Sequence, residues 1–153
     1  MNRTRILSID GGGIKGIVPA VVLSHLEKLL QDLSNNPSSR IHDYFDLFSG
    51  ASTGAIIVAG LLSPDNNNRP KYSPNEILDL YLENGEIIFN SSLFQEIKSV
   101  SGIVNVKYDP EGLVSVFDKY FGKSELKDLL KPSLIPVYDL SRGKNYFFRQ
   151  QKA

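Results

Sequence analysis

The pentapeptide Gly50-Ala51-Ser52-Thr53-Gly54 restricts the fold of this chain more than any other stretch. It lies between a short apolar run that opens at Leu47-Phe48 and the segment Ala55 to Leu62, which is apolar on all sides. The run reads as a strand and the segment as a buried helix. A G-x-S-x-G sequence in that context is a sharp strand-to-helix turn. Its small residues let the backbone close, and the serine hydroxyl is pushed out above the sheet edge. The helix that follows directs its positive end towards the same place. Ser52 is therefore a candidate nucleophile. Taken alone, the pentapeptide also fits a glycine-rich turn without chemistry.

A second glycine turn stands upstream. Ile6 to Ile9 reads as a short buried strand that ends in Asp10-Gly11-Gly12-Gly13-Ile14-Lys15-Gly16. Without side chains, backbone N–H groups can converge on one anionic point, which is what a tetrahedral oxyanion requires. Lys15 could add positive charge. In a parallel sheet both turns would sit at the carboxyl ends of their strands, the usual position of an active site. Gly11, Gly13 and Gly16 also fit the G-x-G-x-x-G of a dinucleotide site. That fingerprint expects a second strand ending in an acidic residue about 20 residues on. Asp32, the candidate, instead falls at the end of the first helix. No Lys-Ser or Lys-Thr follows the glycines, so the loop is not a phosphate-binding P-loop.

The remaining pattern continues the alternation of strands and helices. Val18, Val22, Leu26, Leu29 and Leu33 form the apolar face of a helix with Pro19 in its first turn. Ser34 to Arg40 is a polar loop, and Asp43-Tyr44-Phe45 closes a short helical turn. Ser73-Pro74-Asn75-Glu76 is a capping box, opening a helix that buries Ile77, Leu78, Tyr81 and Leu82 and ends or kinks at Gly85. Ser91 to Val106 has weak periodicity. A helix starts at Asp109-Pro110, runs through Leu113, Val114, Phe117, Tyr120 and Phe121, and is capped by Gly122. Ser124 to Leu130 is a short helix. Ile135 to Leu140 and Asn145 to Arg149 are strands joined by a hairpin turn at Ser141 to Lys144. The aromatic residues Tyr120, Phe121, Tyr146, Phe147 and Phe148 are expected in the core. The order is that of an α/β domain with a mainly parallel sheet.

Composition narrows the functional classes. The 153 residues carry 17 basic and 17 acidic side chains, without the basic excess of a nucleic-acid binder. With no cysteine, thiol catalysis and thiolate metal sites are excluded. His25 and His42 are the available imidazoles, and both read as structural. No Asp, Glu or His grouping has metal-ligand spacing, and no cofactor is expected. No stretch is long and apolar enough for a transmembrane segment, and no export signal is visible. The expected location is cytoplasmic, peripheral at membranes.

Three blocks occur in order: Ser8-Ile9-Asp10-Gly11-Gly12-Gly13-Ile14-Lys15-Gly16, Asp43-Tyr44-Phe45-Asp46 and Gly50-Ala51-Ser52-Thr53-Gly54. In sequence and spacing they resemble the amino-terminal part of a patatin-like phospholipase domain, with Asn67 to Pro70 and Tyr108-Asp109 as further points of likeness. The resemblance implies a three-layer α/β/α fold of modified α/β-hydrolase type. It also implies a Ser-Asp dyad without histidine, with Ser52 as nucleophile and Gly11, Gly12 and Gly13 as oxyanion hole. The family usually has arginine where Lys15 stands, and lysine lacks its planar fork. The family's aspartate lies downstream in an Asp-Gly motif, whereas the only Asp-Gly here is Asp10-Gly11. Residues 1–153 are thus expected to be one incomplete, C-terminally truncated domain of a lipid acyl hydrolase that acts at a membrane or micelle surface. By itself the chain would be nearly inactive. The alternative is an inactive fragment that binds lipid or a partner.

Overall fold

The computed structural model describes residues 3–89 and 111–153. Strands β1 (Ile6–Ile9), β2 (Leu47–Gly50), β3 (Ser133–Asp139) and β4 (Lys144–Arg149) form one four-stranded sheet in the order β1-β2-β3-β4. β1 and β2 pair in parallel, as do β2 and β3, and the β3–β4 hairpin is antiparallel. The α-helices among the described residues are α1 (Ile17–Ser34), α2 (Thr53–Leu62), α3 (Pro74–Ile88) and α4 (Glu111–Phe121). A mainly parallel sheet with helices is the architecture expected from the sequence.

The register places Ile9 beside Gly50, so the two glycine turns leave the sheet side by side. α2 forms because nothing in Thr53–Leu62 is charged and its buried side chains fill the space over β2. Ile57, Val58 and Leu62 are fully enclosed with Phe48. The sequence-based reading of this helix as buried on all sides holds for most of its surface. α3 begins at the expected capping box. The Ser73 hydroxyl accepts from the Glu76 N–H, and the Glu76 carboxylate accepts from the Ser73 N–H at 2.8 Å. Gly122 ends α4 with φ +56°, its N–H bonded to the Asp118 carbonyl.

Five expectations are corrected. The apolar stripe of α1 is not its buried face: Val18, Val22, Leu29 and Leu33 are exposed, and Ala20, Leu23 and Glu27 are buried. The helix has two stripes, and the one facing the core contains a carboxylate. Glu27 accepts from the Arg40 guanidinium and the Ile41 N–H, both at 3.0 Å, so its charge is compensated. β1 is a sheet edge among the described residues. Ile9 is buried and Leu7 half-buried, while Ile6 and Ser8 are exposed. Leu82 is exposed, since α3 buries Leu80, Asn84 and Ile88 instead. Gly85 does not end α3, which runs on to Ile88; it lies buried inside the helix against Ile14. Tyr146, Phe147 and Phe148 are exposed, because β4 is the other edge of the sheet among the described residues. The expectations for Asn90 to Pro110, including the start at Asp109-Pro110, lie outside the described residues.

Polar contacts tie the loops to this frame. Asp43 takes both terminal nitrogens of Arg69, at 2.8 and 3.1 Å, and joins the 63–72 loop to the turn before β2. Asp46 accepts from the Arg5 N–H at 2.7 Å. His42 is buried, with Nε2 3.4 Å from the Asp43 carboxylate and Nδ1 without a partner among the described residues. Burial holds its imidazole below the ordinary value of 6.5. Asp43 opposes this, and the charges of Arg69, Lys131 and Arg40 add to it.

Two outcomes follow. Glu27→Ala leaves the Ile41 N–H unsatisfied and is expected to cost about 3 kcal/mol in urea unfolding. The fold also prefers neutral His42, so that contribution is complete above the unfolded value and is lost as pH falls below about 6.5. The melting temperature of the wild type should drop more between pH 7.5 and 5.5 than that of His42→Gln, both pH values being chosen as about one unit either side of the ordinary imidazole pKa.

Candidate active site

Close backbone contacts pack the serine turn against the sheet. A Cβ on Gly54 would stand 2.1 Å from the Ile9 carbonyl oxygen, and one on Gly50 would stand 2.3 Å from the Gly54 carbonyl oxygen. Neither position has room for a methyl group, so β1, β2 and the first turn of α2 nest directly. The turn closes through Gly54 N–H to the Ala51 carbonyl at 2.8 Å and Ala55 N–H to the Ser52 carbonyl at 2.9 Å.

Ser52 sits at the head of this turn with φ 51° and ψ −120°, a left-handed backbone that a serine adopts only where its surroundings impose it. It is exposed and occupies the N-cap position of α2 without using its hydroxyl as a cap. The hydroxyl is therefore free of the local bond that serine usually makes at a helix start. The partial positive charge of the helix end lies beside it.

The glycine loop adjoins this serine. A Cβ on Gly11 would lie 3.0 Å from Ser52 Cβ and 2.9 Å from the Ala51 carbonyl oxygen. Gly13 has φ +59° and begins a 3-10 turn over Gly13–Gly16. The N–H groups of Gly11, Gly12 and Ser52 donate to no described residue. Unpaired donors beside an exposed serine are the elements of an oxyanion site. Lys15 is exposed in the same turn. A groove of about 430 Å³ opens next to the loop between β1 and α1, lined by Leu7, Ile9, Gly12, Val18 and Val22 among others. Val18 and Val22, at the amino-terminal end of the exposed stripe of α1, thus form a wall of this groove.

The structure brings Gly11 against Ser52, with Gly16, Gly50 and Gly54 as close-packed supports, and Gly12 lines the adjoining groove. The histidines are occupied elsewhere: His25 Nδ1 is 2.9 Å from the Val21 carbonyl, and His42 lies beside Asp43. Among the described residues no grouping of His, Asp or Glu could hold a metal ion. One neighbour was not legible in the sequence. The buried Tyr81 hydroxyl meets Thr53 Oγ1 at 2.6 Å and donates to the Thr53 carbonyl at 2.9 Å. Thr53 follows Ser52 in the chain, but Tyr81 reads only as one more apolar residue of α3.

With this geometry, comparison with known proteins decides the family. A family model described as patatin-like phospholipase matches residues 7–152. The chain belongs to the patatin-like phospholipase family. Curated relatives include Patatin-16 of Solanum tuberosum, 40% identical over 143 residues that cover 94% of this chain and 35% of the relative. Patatin-1-Kuras 2 of the same organism is also 40% identical over 94% of this chain and 36% of its own length. Patatin group M-3 is 38% identical over the same share of this chain. The chain spans about a third of the length of these patatins, 35% in the case of Patatin-16.

The nesting of the turn gives a test. Gly54→Ala must separate β1 from α2 and is expected to destabilise the fold by about 2–4 kcal/mol, read from the urea midpoint.

Proposed function

We propose that residues 1–153 supply the nucleophile and the oxyanion donors of a lipid acyl hydrolase. The observation that carries this reading is Ser52 itself, exposed, left-handed and in contact with a glycine loop whose Gly11 and Gly12 N–H groups donate to no described residue. Ser52 Oγ would attack the carbonyl carbon of an acyl ester. The carbonyl electrons move onto oxygen, where the Gly11 and Gly12 N–H groups receive the charge. Collapse of this intermediate expels the alcohol and leaves an acyl-Ser52 ester, which water then hydrolyses to a free fatty acid. Gly13 and Lys15 complete the oxyanion loop, Gly13 through its backbone shape and Lys15 through its charge.

The proton of Ser52 needs an acceptor. In a Ser-Asp dyad an aspartate takes it, passes it to the leaving alcohol and then activates water. Asp139, in β3, accepts from the Ser141 and Arg142 N–H groups of the hairpin turn. It is thereby engaged in turn formation. The only Asp-Gly of the chain belongs to the glycine loop. In this reading the acceptor is the aspartate of a second Asp-Gly motif, which residues 1–153 do not carry.

The groove beside Gly12 has apolar walls of a kind that suits an acyl chain. Acyl lipids exist as aggregates, so the substrate would be met at a membrane or micelle surface, on the cytoplasmic side. Among the described residues no helix is long and apolar enough to cross a membrane. The lack of an aspartate matching the family motif favours a second reading, in which the chain alone binds lipid or a partner without turnover.

Fluorophosphonate labelling of the full-length protein tests the nucleophile. Ser52→Ala should abolish labelling and lower ester hydrolysis by at least about 1,000-fold. Undiminished labelling of that variant refutes the assignment. Residues 1–153 alone should turn over a short-chain nitrophenyl ester no faster than their own Ser52→Ala variant.

A further inference from the structure

We propose that Tyr81 is a positioning residue for the Ser52 site, its phenol clasping the first residue of α2 so that the serine turn keeps its distance from the glycine loop. The inference rests on the reading of Ser52 as nucleophile.

Tyr81 lies on α3 and is 1% exposed. Its hydroxyl donates to the Thr53 carbonyl at 2.9 Å, so the 2.6 Å contact with Thr53 Oγ1 is a bond that the threonine hydroxyl donates. Two hydrogen bonds thus close on the residue next to Ser52. Burial pushes the phenol up to about 12, with the Thr53 bond opposing, and it remains a neutral donor throughout the neutral pH range. On its ring side Tyr81 stacks on Phe89, with centroids 5.6 Å apart and planes 20° from parallel.

The same pair supports the glycine loop. A Cβ on Gly16 would stand 2.4 Å from Thr53 Oγ1 and 2.8 Å from Tyr81 Cε1. The end of the loop therefore rests on the clasp with no gap to absorb movement. One turn further along α3, a Cβ on Gly85 would meet Ile14 Cδ1 at 2.5 Å. α3 contacts the glycine loop at both Gly16 and Ile14, and it grips the serine turn at Thr53. One helix sets both halves of the site. Oxyanion donors act only when held within about 0.5 Å of their place, and a misplacement of about 1 Å costs about 100-fold in rate.

Phenylalanine at position 81 fills the same volume but removes both bonds and leaves the Thr53 hydroxyl buried without its partner. Steady-state hydrolysis of a short-chain nitrophenyl ester by the full-length protein is the test. Tyr81→Phe should lower kcat about tenfold and leave KM within about twofold, because the interaction acts on the turn and not on substrate. Thr53→Val removes one of the two bonds and should lower kcat in the same direction by less. Thr53→Ser should regain most of the kcat that Thr53→Val loses, and the double variant Tyr81→Phe with Thr53→Val should lose little beyond Tyr81→Phe alone. Thermal unfolding of each variant establishes that the assay temperature is below its transition. Wild-type kcat in Tyr81→Phe, with activity still abolished by Ser52→Ala, overturns the proposal. So does a loss that appears in KM, or a Thr53→Ser variant no better than Thr53→Val. Turnover that survives Ser52→Ala refutes the nucleophile reading first and removes the basis for the clasp with it.

Discussion

The Ile9 carbonyl oxygen stands where a methyl group on Gly54 would be 2.1 Å away, and the arrangement around Ser52 depends on that approach. It brings the end of β1 against the first turn of α2 with nothing between them. The parallel register aligns Ile9 with Gly50, and both strands release their loops at one point. The left-handed backbone of Ser52 follows, because the chain must reverse from strand to helix within a turn that admits no Cβ at Gly50 or Gly54. Such a conformation costs of order 1–3 kcal/mol and persists only where packing over-determines it. Here the packing is the apolar α2 sealed over Phe48.

Around this rigid centre the polar contacts act as struts. Glu27 with Arg40, and Asp43 with Arg69, fasten the turn before β2 to α1 and to the 63–72 loop. Asp46 holds the start of β1 through the Arg5 N–H. These explain why acidic residues recur in the Asp43-Tyr44-Phe45-Asp46 stretch although none approaches Ser52 in the chain: they set where β2 begins and thereby where the serine turn ends.

Much of this frame was legible because it consists of local backbone requirements. The two glycine turns, the Ser73–Glu76 capping box, the left-handed Gly122 and the β3–β4 hairpin each express a constraint that acts over a few residues. The buried face of α1 was not legible, because its core-facing stripe includes Glu27, whose compensating partner Arg40 is 13 residues away. Tyr146, Phe147 and Phe148 looked like core residues because apolarity does not report which strand lies at a sheet edge. The bond between Tyr81 and Thr53 spans 28 residues and two helices. No short pattern could signal it, although it adjoins the most recognisable residue in the chain.

The crowding at Gly16, Gly50 and Gly54 also governs how sequences of this kind can diverge. Positions that exclude a single methyl group cannot be altered by degrees, since every side chain is a clash and none is a small adjustment. Graded change is open instead to Val18 and Val22, which line the groove from exposed positions and can exchange size or polarity without disturbing the turn. Evolutionary drift in such a scaffold is channelled away from the serine turn and into the groove walls beside it.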